Sequence, residues 1–130
     1  MPLYIVAVGS NIDPEKHVQQ AFELIRQMDA RADIATLLHT KAVGFTGQAD
    51  FINTAFSFQS PLDAVQLKSR LRDIETRLGR VRTANKNGPR TIDLDIVQID
   101  GRIVDEDYHK YDFVKTSVDE LAARLNLNKA

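Results

Sequence analysis

Residues 88–101 read GPRTIDLDIVQIDG, and their apolar and acidic positions alternate. Successive side chains of a strand point to opposite faces, so Ile92, Leu94 and Ile96 fall on one side and Asp93 and Asp95 on the other. The spacing predicts a strand over 92–99 with one oily face. On the second face the two carboxylates stand about 7 Å apart, from a rise of ~3.3 Å per residue. Strict alternation places apolar Val97 and Ile99 behind them on that face. Two acids leading an otherwise apolar face raise the question of what cation they hold. The Asp100–Gly101 pair signals a hairpin into a short strand at 102–104.

The stretch just before this strand is basic. From Arg77 to Arg90 lie Arg77, Arg80, Arg82, Lys86 and Arg90, with no acid. A connection as long as 80–91 inside a small domain is usually functional or disordered. The rest of the chain balances it to a formal net charge of −1, which excludes a wholesale polyanion binder. With 130 residues, 43% of them apolar, the chain is expected to form one domain over 1–130 around a single core. Cysteine is absent, which excludes disulfides and thiolate metal sites. No apolar run is long enough to span a bilayer, and the N-terminus has no signal-peptide pattern, so a cytoplasmic location is expected.

Working back along the chain, LYIVAV at 3–8 reads as a central strand covered on both faces. Asp13 and Pro14 form a helix start, with the Asp13 side chain as cap. Val18, Ala21, Phe22, Ile25 and Met28 keep helical spacing after it. A second strand is expected over 32–39, a glycine-bearing loop over 40–50, and a third strand over 51–58. Ser60, Pro61 and Asp63 announce a second helix, carried by Ala64, Leu67, Leu71, Ile74 and Leu78 and ended by Gly79. A last helix is expected to be capped by Ser117 and Glu120 and to carry Val118, Leu121, Ala122 and Leu125. The order strand, helix, strand, strand, helix, strand is the βαββαβ pattern of a ferredoxin-like α+β sandwich. Its helices lie on one face of an antiparallel sheet. The other face would gather Phe51, Asn53, Asp93 and Asp95.

That gathering suggests chemistry. Magnesium prefers carboxylate oxygens and usually keeps waters and substrate phosphates as further ligands. Arginine clamps phosphate oxygens bidentately. Metal plus arginine is what phosphoryl transfer needs. A solvated face and loop would show the same acids and bases, so the pattern alone leaves both readings open. Arg72 and Glu75, one turn apart, read equally as a surface pair. Phe51 and Asn53 offer a ring and an amide that donates and accepts. His39 and His109 lack metal-ligand spacing, and no Walker-type phosphate loop is present.

Taken together, GSN at 9–11, GQADFINTA at 47–55, LGRVR at 78–82 and GPRTIDLDI at 88–96 resemble the 6-hydroxymethyl-7,8-dihydropterin pyrophosphokinase family, in order and spacing. The resemblance covers roughly residues 3–101, and FVKTSVDELA at 113–122 is similar to the family's closing segment. It implies transfer of diphosphate from ATP to a pterin hydroxymethyl group, with two magnesium ions, in folate biosynthesis. Asp93 and Asp95 would bind metal, and Arg80, Arg90 and Asp95 would carry the chemistry. Arg72, Glu75, Arg82 and Ile96 would contact the nucleotide. Thr40, Val43, Phe51, Asn53 and Phe113 would line the pterin pocket, with the ring held between Phe51 and Phe113.

The chain departs from the family at several places. Lys41 stands where a proline is usual, Asn87 where an aromatic is common, and Arg72 where glutamine is common. DEDYHKYD at 105–112 is shorter than its counterpart, which brings a histidine and arginines to the ATP phosphates. His109 and Tyr111 stand nearest those places. A non-catalytic or altered-specificity relative that binds a pterin or nucleotide is therefore the alternative. An RNA-binding module is disfavoured because two carboxylates occupy the open sheet face.

Overall fold

The computed structural model describes residues 1–41, 50–81 and 91–126. The described chain is α+β: β1 (Leu3–Ser10), α1 (Pro14–Met28), β2 (Asp33–Ile34), β3 (Leu38–Thr40), β4 (Phe51–Gln59), α2 (Ala64–Arg77), β5 (Asp93–Ile99), β6 (Arg102–Ile103), α3 (Asp107–Lys110) and α4 (Asp112–Arg124). The strands form an antiparallel sheet in the order β2-β4-β1-β5-β6, with β3 also paired to β4. This is the ferredoxin-like arrangement that the element order predicts. β1 is central because its continuous apolar run can be covered on both faces.

The face carrying Tyr4, Val6, Val8, Ile52, Phe56, Phe58 and Leu94 packs against α1 through Val18, Ala21 and Ile25. It meets α2 through Leu67, Leu71 and Ile74. These are the two crossover helices, and both lie where expected. The other face is not wholly open. Val114, Val118, Leu121 and Ala122 of α4 cover Ile5, Ala55 and Val97 there. Thus α4 closes one half of that face and leaves the half carrying Phe51, Asn53, Asp93 and Asp95.

Several local expectations are corrected. The expected second strand is broken into β2 and β3, with an extra residue between Ile34, opposite Phe56, and Leu38, opposite Asn53. The break is satisfied locally: Ala35 N–H donates to the Ala55 carbonyl, and the Thr54 hydroxyl donates to the Ala35 carbonyl. In β5, Val6 opposes Ile96 while Ile5 opposes Gln98, so Val97 is a bulge residue. The bulge resets the alternation. Val97 stays on the aspartate side, but Ile99 turns to pack against the α1/α2 core. Asp13 does stand at the N-cap of α1, yet at φ 42° its side chain makes no capping bond. Helix α4 begins at Asp112, so Ser117 and Glu120 lie inside it. The Glu120 carboxylate instead accepts from Thr36 N–H and hydroxyl.

Helix α2 is bounded as its sequence dictates. Asp63 accepts from Gln66 N–H, and the Gln66 side chain accepts from Asp63 N–H, a reciprocal cap shifted by three residues from Ser60. At the other end Gly79 N–H donates to the Thr76 carbonyl and Arg80 N–H to the Glu75 carbonyl, each at 3.0 Å. This is a Schellman end, and it needs a left-handed residue, here Gly79 at φ 99°. The turn folds Arg80 back over Glu75. A Cβ at Gly79 would meet nothing within 4 Å, so Gly79→Ala strains the backbone alone. It should lower unfolding free energy by about 1 kcal/mol. Urea denaturation should show a lower midpoint with an unchanged m-value.

Candidate functional site

A cavity of about 280 Å³ opens on the uncovered half of the sheet. Its floor is the central strand, where the small residues Ala7 and Gly9 keep the surface low. Register explains the walls. Gly9 pairs with Asn53 on one side and Asp93 on the other, and Ala7 pairs with Asp95. A Cβ built on Gly9 would stand 3.0 Å from Asn53 Oδ1 and 3.8 Å from a Phe51 ring carbon. Glycine is therefore required for Asn53 to lie where it does. The Asn53 amide donates to the Thr40 hydroxyl, and both side chains line the cavity with Phe51.

The opposite wall comes from α3 and the start of α4. Phe113 lines the cavity, and its ring leans on Tyr111 with centroids 5.3 Å apart. This wall is pinned from behind. Tyr108 donates its hydroxyl to Asp119 at 2.5 Å, and Lys115 bonds the same carboxylate at 2.7 Å. Tyr111 and Asp107 also line the cavity, although neither was a predicted site residue. The signal for Tyr111 was present: two residues before Phe113, it stands at the mouth of the same helix. Asp107 carried none, because the short helix α3 has no periodicity to read. Burial first, then the charges of Asp105 and Asp93 among others, push the Asp107 carboxyl up.

Asp93 and Asp95 both line the cavity, as the alternation predicts. Arg72 and Arg80 reach them from the α2 side. Arg80 Nη1 lies 2.8 Å from Asp93 Oδ1, and Arg72 Nη2 lies 3.1 Å from Asp95 Oδ1. Behind the two guanidiniums sits Glu75, 1% exposed, with Oε2 at 2.5 Å from Arg72 and 3.1 Å from Arg80. Its predicted place was beside a nucleotide; the structure puts its carboxylate beneath the arginines. Ile96 faces the α1/α2 core, packed beside Leu94 and away from the aspartate side. Val43, Arg82 and Arg90 lie outside the described residues. The predicted basic loop is described only at its ends. His39 and His109 are exposed.

Electrostatically the aspartate pair is held under tension. Burial first, then the Asp93 charge, raises the Asp95 carboxyl from 3.8 to about 6, against the pull of Arg72. Arg72 shows the same contact from the other side. Burial pulls its pKa down, but Glu75 and then Asp95 more than offset that. Among the described residues no group of three or more His, Cys, Asp or Glu side chains is gathered for a metal ion. The donor set is two carboxylates on one pleat face, open to the cavity.

The fold and cavity define a small α+β protein with an aromatic and amide subsite beside an acidic pair backed by arginine. Over residues 5–123 the chain matches the model of the family described as 7,8-dihydro-6-hydroxymethylpterin-pyrophosphokinase, and it belongs to that family. It is 38% identical over 95 residues to the 2-amino-4-hydroxy-6-hydroxymethyldihydropteridine pyrophosphokinase of Bacillus subtilis, covering 71% of this chain and 56% of that protein. The Campylobacter jejuni protein of the same name is 35% identical, over 78% of this chain and 66% of its own length. The Pseudomonas putida one is 33% identical, over 78% and 85%. The chain thus spans less than two thirds of the first two relatives. No described helix is long and apolar enough to cross a membrane.

The raised Asp95 pKa has a definite sign. Between pH 3.8 and about 6 the folded state keeps a proton that the unfolded state has lost, so stability falls as pH rises through that window. In metal-free buffer with chelator, Asp95→Asn should melt higher than the parent at pH 7.5. The gap should narrow towards pH 4, read by thermal denaturation across the range.

Proposed function

We propose that the chain transfers diphosphate from ATP to the hydroxymethyl group of 6-hydroxymethyl-7,8-dihydropterin, releasing AMP, as a magnesium-dependent pyrophosphokinase of folate biosynthesis. The observation that carries this is one cavity that joins Phe51, Asn53 and Phe113 to Asp93 and Asp95. A flat heterocycle fits between the rings of Phe51 and Phe113, with Asn53 and Thr40 reading its polar edge and Val43 completing the pocket. The acidic pair lies on the same floor, so a hydroxymethyl arm points from the rings towards it. Arg80 and Arg90 hold the transferring diphosphate, Arg82 adds a nucleotide contact, and Arg72 lies towards the nucleotide's other end.

The donor set fits magnesium. Asp93 and Asp95 are hard oxygen ligands, and a dication would offset both the burial and the mutual repulsion that raise the Asp95 pKa. When bound, two ions held there neutralise phosphate charge. The chain's own part is positioning: the floor sets the distance between pterin and phosphates, and the arginines fix the phosphate oxygens. The cysteine-free composition is compatible with a reducing, cytoplasmic setting.

One observation favours binding without turnover as the second reading: the α3 wall presents Asp107 and Tyr111 to the cavity rather than a cation. A single assay separates the two. With ATP, magnesium and hydroxymethyldihydropterin, the protein should release AMP, and Asp95→Ala should lower that rate at least ~100-fold with an unchanged circular dichroism spectrum. Pterin binding by calorimetry without AMP would favour the second reading.

The floor supplies a further expectation. Gly9→Ala places a methyl group 3.0 Å from Asn53 Oδ1 and forces the amide aside by a few tenths of an ångström. Pterin affinity, measured by calorimetry, should fall roughly tenfold, the size of one misplaced hydrogen bond.

A further inference from the structure

We infer that Glu75 is a positioning residue: one buried carboxylate sets both guanidiniums and the aspartate strand in a common frame. The inference rests on the pyrophosphokinase reading for its catalytic consequence, but its geometry stands without it. Leu94 lies between Asp93 and Asp95. Its N–H donates to Glu75 Oε2 at 2.8 Å, and its carbonyl accepts from Arg72 Nη1 at 3.1 Å. The Ile92 carbonyl accepts from Arg80 Nη1 at 3.3 Å. The pairing of β6 with β5 covers only Gln98 and Ile99. So at the aspartate end the edge of β5 is satisfied by α2 and the turn after it, where a strand would otherwise dock.

The same oxygen, Glu75 Oε2, takes Arg72, Arg80 and the Leu94 N–H. Arg72 turns Nη1 to Glu75 and Nη2 to Asp95, whereas Arg80 meets both Glu75 and Asp93 through Nη1. Moving Glu75 would move Arg72, Arg80 and the two aspartates together. Its burial at 1% leaves no surface for ligand contact, so it acts through the residues it holds.

The test uses Glu75→Gln, which can still accept from Leu94 N–H but loses the charge facing the arginines. Three measurements are made: guanidinium N–H signals of Arg72 and Arg80 by NMR, affinity for magnesium with a non-hydrolysable ATP analogue, and affinity for the pterin. The expected result is loss of the two slowly exchanging guanidinium signals. Nucleotide affinity should fall at least tenfold, with pterin affinity within threefold of the parent. In an Arg72→Met/Arg80→Met background the Glu75→Gln change should add less than twofold. If Glu75→Gln does not fold, Glu75→Asp replaces it, with the same split expected between nucleotide and pterin. Unaltered guanidinium signals would overturn the inference. So would a full additional loss in the double-methionine background, which means direct ligand contact, or a parallel loss of both affinities, which means bulk structure. Absence of AMP from the parent protein would strike the pyrophosphokinase reading alone, since the guanidinium signals need no turnover.

Discussion

Asp93 and Asp95 stand on one face of a strand with only one residue between them, and the fold has to hold two like charges together in a half-buried cavity. The burden is visible in the raised Asp95 pKa. Two arginines relieve it from behind, yet they too need holding, because a guanidinium at the edge of a sheet is otherwise free to swing into water. Glu75 closes the set. The result alternates in sign from the interior outwards: a buried carboxylate, two guanidiniums, then two carboxylates facing the cavity. A charge layered this way presents its outermost negative face to whatever enters, which suits a dication and then a phosphate behind it.

The two halves of the site are anchored to opposite sides of the sheet. The charged half is held by α2, which packs on the Val6/Phe56 face and wraps round the free edge of β5. The aromatic half is held by α3 and α4, which pack on the Ile5/Val97 face. Only β1, with Ala7 and Gly9, lies beneath both. The sheet is thus the ruler between an aromatic wall and a charged wall. A substitution that tilts α4 would move one wall without the other.

Much of this was legible in the residues. Strict alternation placed Asp93 and Asp95 on one face and Phe51 and Asn53 beside them, because pleat geometry leaves no freedom once the helix-facing side is identified. The ends of α2 were legible for similar reasons, since capping and left-handed glycine are local chemistry. What escaped was non-local. Ile99 was misplaced because a bulge at Val97 adds a residue that no composition marks. Helix α4 was started late because Ser117 looks like a cap, although its true first turn, at Asp112 to Lys115, already carries the apolar Phe113 and Val114. The role of Glu75 was hidden most deeply. Beside Arg72 it resembles an exposed helix pair, and only the approach of Leu94, 19 residues away, shows that the carboxylate is interior.

The α3 wall follows from the same logic. The segment DEDYHKYD carries four acids against one lysine and one histidine, and one of them, Asp107, lines a cavity that already holds an acidic pair. Asp107 faces in, and the Asp93 charge contributes to raising its pKa. A polyphosphate approaching alone would meet repulsion from both walls, whereas a cation-bound one would not. Under the proposed function, the phosphate charge would have to be neutralised before it reached Arg80. Tyr111, leaning on Phe113, meanwhile extends the aromatic wall of the cavity. Aromatic side chains thus make one wall of the cavity, while the arginines behind its aspartates are held from the α2 side.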